Sequence, residues 1–384
     1  MTQSVICLEE ETHPVAKPTI SIGRGNRFEA PRLLRNHQFD LLRILFATLV
    51  ILAHVPELTD GNNSRDLFKR LSHTGVTFGT FAVDGFFLLS GFLIVKSWHS
   101  DANLIRFLKK RFIRIAPGYA VAVIVSTITV GLLAPGVDKF FSHIRGNDLS
   151  GILFLFYPTS LPVFPGNAYP SLNGSLWTIL YEFRCYVLVA VFGVLGLSNL
   201  RWTWLAATFL LVAASALHQT SWPLQTVLGD LYSLPHLGTI FFIGGCFFLY
   251  RDKIKFTPVG AALAFATIVL VSHVRPQLME RALVLCGGYL LFYFTDKPLG
   301  SLHWMRRVPD ISYGVYLYGF PVENFLVFRF HPSPWVTFAV ATPVCFVLGW
   351  ASYKLVEYPA LRLVSLKAEG LSTGRVGRPT VVYE

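Results

Sequence analysis

Ten long apolar segments, separated by short polar stretches, recur along almost the whole chain. Each is close to the roughly 20 residues that an α-helix needs to cross the hydrocarbon of a membrane. The pattern therefore predicts an all-α, polytopic membrane protein with about ten transmembrane helices. The segments are 39–57, 76–98, 112–134, 175–198, 202–218, 232–250, 257–273, 280–296, 310–330 and 336–357. A further apolar stretch, 149–164, contains prolines that favour a re-entrant or interfacial segment over a span.

The composition agrees with a membrane protein. Hydrophobic residues make up 53% of the 384 positions and charged residues only 14%, whereas soluble domains carry roughly 25% charged residues. Residues 1–36 and 365–384 lack apolar segments, so we interpret both as flexible cytoplasmic tails around a transmembrane domain at 37–364. The start of the chain has no signal-peptide pattern, because no apolar region follows a short basic stretch. The five cysteines form no CxxC pair, which disfavours a disulfide framework or a zinc site.

The distribution of Lys and Arg predicts the orientation in the membrane. With the N-terminus placed in the cytoplasm, 22 of the 33 Lys and Arg residues lie in inner segments and 8 in outer loops. Positive residues concentrate on the cytoplasmic side, so both termini are expected in the cytoplasm, with the chain in a bacterial inner membrane. Contact with anionic membrane lipids explains the net charge of +11, and nucleic acid is not an expected partner.

A few ionisable side chains lie inside the apolar segments, where such groups are costly and usually functional. Arg43 and His54 are eleven positions apart in the first segment, which places them on one helix face about 16 Å apart. Glu182 enters the fourth segment at a depth similar to that of His54, so we expect it to orient His54 as a general base. The alternatives are a structural His54 with a snorkelling Arg43, or an ion pair of Glu182 with Arg184 or Arg43.

The second apolar segment carries Asp84 among small residues. Gly85, Ser90 and Gly91 let another helix approach closely. Asp84 is a candidate functional residue, because it lies inside an apolar segment. The alternative is that it forms an ion pair with a neighbouring arginine that serves only the fold.

A basic run opens the third apolar segment. It marks either the membrane topology alone or a phosphate-binding patch, because Arg111 and Arg114 are three apart and share a helix face. The run contains Arg106, Lys109, Lys110, Arg111 and Arg114.

Four stretches of the chain together resemble the acyltransferase 3 family of membrane O-acyltransferases. Arg43-x10-His54 is similar to the family's Arg/Lys-x10-His signature, and 84–94 is similar to its FFxxSGFL stretch. Residues 107–119 resemble its RxxRixPxy element, and 175–182 resemble its SLWxxxxE element. Each motif alone is degenerate, but their order along a chain of ten apolar segments is specific.

Two weaker matches extend the resemblance over roughly 38–362. Residues 311–318 resemble the family's iSYxxYLxH element and 352–359 its SxxxxExP element. Gly319 stands where many members have a histidine, so any role of that histidine is in doubt here.

The resemblance implies transfer of an acyl group, usually acetyl, from cytoplasmic acyl-CoA to a hydroxyl of an extracytoplasmic glycan or lipid-linked sugar, such as exopolysaccharide or O-antigen. Acetyl-CoA is the expected donor, and no metal site is expected. The expected catalytic residues are His54, Glu182 and Arg43. The expected CoA-binding residues are Arg43, Lys110, Arg111, Arg114 and Tyr119. Further polar or aromatic core residues of interest are Asp84, Ser90, Arg184 and Trp177.

A transporter or flippase of a glycan precursor is the main alternative, because it would also have about ten spans with charges inside. Transporters often contain internal repeats, and none is visible between 39–198 and 202–357. The charged residues also crowd into the first four segments, which favours an enzyme. Direct transfer is preferred over an acyl intermediate on Ser90. Aromatic residues of the outer side either stack on sugars or form the interfacial belt; they are Phe164, Tyr169, Trp177 and Tyr181.

Overall fold

The computed structural model describes residues 37–133, 155, 163–215, 233–296 and 309–363. All regular elements within those ranges are helical, which confirms the all-α prediction for them. The predicted tails at 1–36 and 365–384, and most of the predicted interfacial segment at 149–164, lie outside the described residues.

Each of the ten apolar segments overlaps one helical stretch of the described chain. The first six helices are α1 (His37–Asp60), α2 (Leu67–Ser72), α3 (Phe78–Ser100), α4 (Leu104–Leu133), α5 (Trp177–Val194) and α6 (Arg201–Ser215). The remaining six are α7 (Ser233–Leu249), α8 (Pro258–Val274), α9 (Met279–Ala282), α10 (Gly288–Thr295), α11 (Ser312–Phe330) and α12 (Pro334–Ser352). A π-helical turn, Leu283–Gly287, joins α9 to α10, and another, Tyr353–Glu357, extends α12.

Six of the helical stretches are long and apolar enough to cross a membrane. They are Gln38–Asp60, Phe78–Ser100, Leu104–Thr129, Trp177–Val194, Pro276–Thr295 and Pro334–Leu363. Helices α6, α7 and α8 are apolar but shorter than 18 residues. Large apolar side chains cover the outer face of the bundle, as a lipid-facing surface requires; Phe209, Leu210, Leu263 and Val347 are each more than 60% exposed.

Helices α1 and α11 lie side by side and run in the same direction. Arg43 of α1 contacts Asp310, just before α11, and His54 of α1 contacts Glu323 within it. Helix α3 runs antiparallel to α1, because its Phe92 packs on Phe39 near the start of α1. The α1–α11 pair therefore has an Arg43 end and a His54 end.

Glycines bring α3 and α7 into backbone contact. A Cβ on Gly91 of α3 would collide with the carbonyl oxygen of Phe241 in α7. A Cβ on Gly244 of α7 would likewise collide with the carbonyl oxygen of Leu88 in α3. The close approach expected from the small residues of the second segment is therefore present, and it is typical of helix packing in membranes.

Replacing Gly91 with alanine is expected to destabilise the protein by about 3 kcal/mol, at the upper end for overpacked cores. The added methyl group would collide with the backbone of Phe241, which cannot move aside as a flexible side chain can. Gly287→Ala is the matched control, because the nearest atom to its Cβ is 4.0 Å away. Equilibrium unfolding in mixed detergent and SDS micelles compares the two, and equal stability of both variants would contradict the close contact.

Candidate functional site

Arg43 and His54 lie on the same face of α1, as their spacing predicts. The Arg43 Nη1 atom is 3.4 Å from Asp310 Oδ2, and His54 Nδ1 is 3.5 Å from Glu323 Oε2. Both acidic partners belong to α11 or to the residues just before it. One helix pair therefore carries two separate polar groups, one at each end.

The partner of His54 is Glu323. The His54 side chain is 16% exposed and that of Glu323 is 0% exposed. At 3.5 Å the two groups are at ion-pair distance, longer than a well-formed hydrogen bond. The edge of the His54 ring meets the Phe320 ring, with 5.2 Å between centroids. Nδ1 faces the carboxylate, so Nε2 is the nitrogen left for another molecule.

The prediction that Glu182 orients His54 is wrong for this structure. Glu182 Oε1 instead accepts hydrogen bonds from Ser90 Oγ at 2.7 Å and from Tyr186 OH at 2.5 Å. The error arises because span boundaries fix neither the exact depth of a residue nor the direction in which its helix faces, and Glu182 lies within electrostatic range of Arg111 and Tyr313. The sequence contained a signal for Glu323, since it is an acidic residue inside an apolar segment.

Gly319 lies one helical turn before Glu323 on α11. A Cβ at this position would be 4.0 Å from Glu323 Oε2 and 3.3 Å from Ile51 Cγ1. The position where many family members have a histidine thus faces the carboxylate that partners His54. Both Glu323 oxygens are buried and accept no hydrogen bond from the described residues.

The segment 163–176 is tied to α11 beside the His54 end. Asn324 Nδ2 donates to the carbonyl oxygens of Tyr169 and Ser171 at 2.8 and 3.0 Å. Asn173 Nδ2 donates to the Leu317 carbonyl oxygen at 2.8 Å. Of the aromatic residues considered for sugar stacking, Tyr169 and Trp177 are exposed, whereas Phe164 and Tyr181 are buried.

Four charged groups form a cluster at the Arg43 end. Arg114 donates from Nη2 to Asp310 Oδ2 at 2.9 Å and from Nη1 to Glu357 Oε2 at 3.0 Å. Arg43 reaches the same Asp310 oxygen. Asp310 and Glu357 are buried. Arg114, a predicted phosphate ligand, therefore directs both terminal nitrogens at protein carboxylates.

Arg111, unlike Arg114, donates to a hydroxyl and not to a carboxylate among the described residues. Its Nη2 donates to Ser97 Oγ at 2.5 Å, and its Nε is buried without a hydrogen-bond partner among the described residues. It lies within electrostatic range of Tyr186, Arg43 and Glu182. Arg111 therefore connects the Arg43 end with the interior group around Glu182.

Lys110 and Tyr119, two other predicted CoA ligands, have contrasting surroundings. Lys110 Nζ is 3.2 Å from Asp101 Oδ2 in an exposed ion pair shared with Arg106. Burial raises the pKa of Asp101, but the hydrogen bonds and positive charges of Arg106 and Lys110 together outweigh it and hold this pKa below its usual value. Tyr119 is fully buried. Of these two residues, only Lys110 is accessible to a large anion in this structure.

The other predicted core residues lie apart from His54. Trp177 begins α5 and is 48% exposed. Arg184 is buried, with its guanidinium 5.2 Å from the centre of the Tyr181 ring. Asp84 lies beside His236 and Glu280. Among the described residues, its neighbours are therefore not the arginine that the alternative interpretation required.

The described helices and their polar interior define a multi-pass membrane protein with ionisable side chains at two depths. The chain belongs to the acyltransferase 3 family, whose profile, described as an acyltransferase domain, matches residues 36–354. It is therefore a membrane O-acyltransferase by family.

Two relatives align with nearly their whole length. An O-acetyl transferase of Shigella phage Sf6 is 26% identical over 330 residues, which cover 84% of this chain and 95% of the relative. Nodulation protein 10 of Rhizobium leguminosarum bv. viciae is 28% identical over 374 residues, which cover 88% of this chain and 96% of the relative. No solved structure matches the chain significantly.

Proposed function

We propose that the protein transfers an acetyl group from cytoplasmic acetyl-CoA to a hydroxyl of an extracytoplasmic glycan or lipid-linked sugar. The observation that carries this proposal is the pair of polar groups on α1 and α11, one built around Arg43 and one around His54. Family membership supports acyl transfer, and the name of the phage relative supports acetyl as the group.

His54 is the proposed general base. Its Nε2 takes the proton of the sugar hydroxyl while that oxygen forms a bond to the thioester carbonyl carbon. The carbon–sulfur bond then breaks, and the proton passes from His54 to the leaving CoA sulfur. Glu323 is a positioning residue, because its carboxylate fixes the ring through Nδ1 and stabilises the imidazolium that forms.

Arg111 and Lys110 are the proposed anchors for the CoA phosphates. The Nε–H of Arg111 has no partner among the described residues, and guanidinium groups bind phosphate through charge-assisted hydrogen bonds. Arg43 lies deeper and points toward the interior, where it contacts the pantetheine arm or the thioester. Arg114 acts through Asp310 by holding Arg43 and the start of α11 in place.

Glu182 has a different proposed role from the one its depth predicted. It lies between the two ends of the bundle and holds Ser90 and Tyr186. The acetyl group passes this point while still joined to CoA, carried on the pantetheine arm from the Arg43 end to His54. Direct transfer remains the proposed route. Trp177 and Arg184 lie on α5, which begins on the proposed acceptor side.

The proposed orientation places the Arg43 end on the cytoplasmic side of a bacterial inner membrane. The excess of Lys and Arg in that set of loops supports this placement. Ten spans with both termini inside remain the proposed topology, in which α6, α7, α8 and α11 join the six longer stretches. Acetyl-CoA then meets the basic end without crossing the membrane.

The test is transfer of label from acetyl-CoA by the purified full chain in nanodiscs. Radiolabelled acetyl-CoA is supplied with a crude extract of host lipid-linked and polymeric glycans, and label in the glycan fraction is counted. Time-dependent labelling supports the proposal. Absence of labelling and of acetyl-CoA binding, together with movement of unmodified glycan precursor across vesicles, would replace it with the transporter.

A further inference from the structure

Three side chains that commonly bind metal ions converge away from His54 and from the Arg43 end. Asp84 of α3, His236 of α7 and Glu280 of α9 place one ligand atom each within 4.8 Å of the other two. His236 Nε2 and Glu280 Oε1 are 3.1 Å apart. The three residues are distant in sequence, and only the packing of three helices brings them together.

Asp84 is the member of this group that needs a partner. The residue is 6% exposed. Its Oδ2 atom is buried and has no hydrogen-bond partner in the part of the chain that the structure describes. Buried charged groups in proteins are paired or coordinate a metal. One oxygen of this carboxylate lies within 4.8 Å of the ligand atoms of His236 and Glu280, so a cation between the three side chains would give the Asp84 carboxylate a partner.

The donor set is one imidazole nitrogen and two carboxylate oxygens. Imidazole suits transition metals and carboxylates suit harder ions, and Zn²⁺ accepts both. Ligand atoms around one tetrahedral Zn²⁺ lie about 3.4 Å apart, since each bond is about 2.0–2.2 Å long. Small rotations of the side chains reach that spacing. We propose that Asp84, His236 and Glu280 bind a divalent transition-metal ion, for which Zn²⁺ is the best fit.

Two neighbouring features agree with a metal site. Asp84 and Met279 line a largely apolar cavity of about 750 Å³ between α1, α2, α3, α8 and the α9–α10 stretch, so the Asp84 side of the group is not filled by packed side chains. The π-helical turn Leu283–Gly287 directly follows α9, and such turns occur frequently at functional sites. An ion here joins α3, α7 and α9 at one point.

Metal binding by the purified full chain tests the proposal without acetyl-CoA or acceptor, so its result is independent of the proposed activity. The protein carries a tag without histidine, is stripped with EDTA, and is titrated with Zn²⁺ against a chromophoric chelator. Wild type is expected to bind about one equivalent. Asp84→Asn, His236→Gln and Glu280→Gln should each weaken binding by more than about tenfold, since even outer-shell replacements cost about 10- to 100-fold. His331→Asn, at an exposed histidine on the last turn of α11, should bind as wild type does.

Thermal unfolding separates loss of the site from loss of the fold. Zn²⁺ should raise the midpoint of wild type, because an ion that binds only the folded state stabilises it, and should not raise that of Glu280→Gln. The Glu280 side chain is 32% exposed, so this variant decides the question if Asp84→Asn does not fold. Absence of saturable Zn²⁺ binding in wild type, or undiminished binding by Glu280→Gln, would overturn the proposal and leave a hydrogen-bonded Asp–His–Glu group.

Discussion

Replacing His54 with alanine is expected to lower the rate of acetyl transfer by about 10²- to 10⁴-fold, the range for loss of a general base. A sugar hydroxyl is a poor nucleophile while it keeps its proton, and the proposed acceptor of that proton is His54 Nε2. Acetyl-CoA binding should persist, because Arg111 and Lys110 lie at the other end of the bundle. Initial rates of label transfer at saturating acetyl-CoA measure the first effect, and equilibrium binding measures the second.

The matched control is His331→Asn, which removes a histidine from the same protein. His331 is exposed and has a left-handed backbone with φ of 46°, a conformation that asparagine tolerates. Its transfer rate should equal that of wild type. If His54→Ala retained more than about a tenth of the wild-type rate, the base would have to be another group.

Glu323 offers a second variant for the same assignment. Glu323→Ala should lower kcat with little change in the KM for acetyl-CoA, because Glu323 positions His54 and does not contact the donor. Glu323→Asp keeps a carboxylate and should recover part of kcat. A loss of folded protein with normal kcat per folded molecule would instead make Glu323 a purely structural residue.

Replacing Arg114 with leucine is expected to destabilise the protein by about 3–5 kcal/mol, the cost of breaking a buried ion pair by removing one partner. Arg114 bridges Asp310 and Glu357, which join the residues before α11 to the end of α12. The Arg114 side chain is 24% exposed and the two acidic side chains are 6% and 1% exposed. Without the guanidinium, two carboxylates are left buried, and among the described residues only Arg43 pairs with one of them. Equilibrium unfolding in mixed detergent and SDS micelles, followed by tryptophan fluorescence, measures the change.

The matched control is Arg106→Leu, which removes an arginine from an exposed ion pair on the same helix. The ion pair of Arg106 with Asp101 is accessible to solvent, and exposed ion pairs contribute about 0–1 kcal/mol to stability. Adding Glu357→Gln to Arg114→Leu should recover part of the lost stability, because one uncompensated charge is removed. Similar stability of Arg114→Leu and Arg106→Leu would show that the cluster does not hold α11 and α12 together.

The helices of this protein follow directly from the sequence. A membrane-crossing helix needs a long apolar run, so α1, α3, α4 and α5 appear where such runs occur. The shared face of Arg43 and His54 also follows from helix geometry, because both residues belong to one rigid element. Predictions of this kind concern neighbours along the chain and need no tertiary information.

The partners of these residues did not follow from the sequence. The span boundaries predicted for Glu182 the depth of His54, but Glu182 bonds Ser90 and Tyr186 within electrostatic range of Arg111, whereas α11 presents Glu323 to His54. The same limit applies to Arg114, whose predicted phosphate contact gives way to Asp310 and Glu357. Apolar segments in a membrane specify length and depth far better than rotation about the helix axis, because lipid contacts an apolar face in any direction.

The sequence by itself determined the class of protein, the positions of its helices and the stripe of Arg43 and His54 on α1. Family membership rests on the same information, since the motifs follow one another along the chain. Tertiary structure decided which charges meet: His54 with Glu323, Arg114 with Asp310 and Glu357, and Asp84 with His236 and Glu280. The physical reason is that helix packing is set by side-chain shape over whole interfaces, such as the glycine contact between α3 and α7.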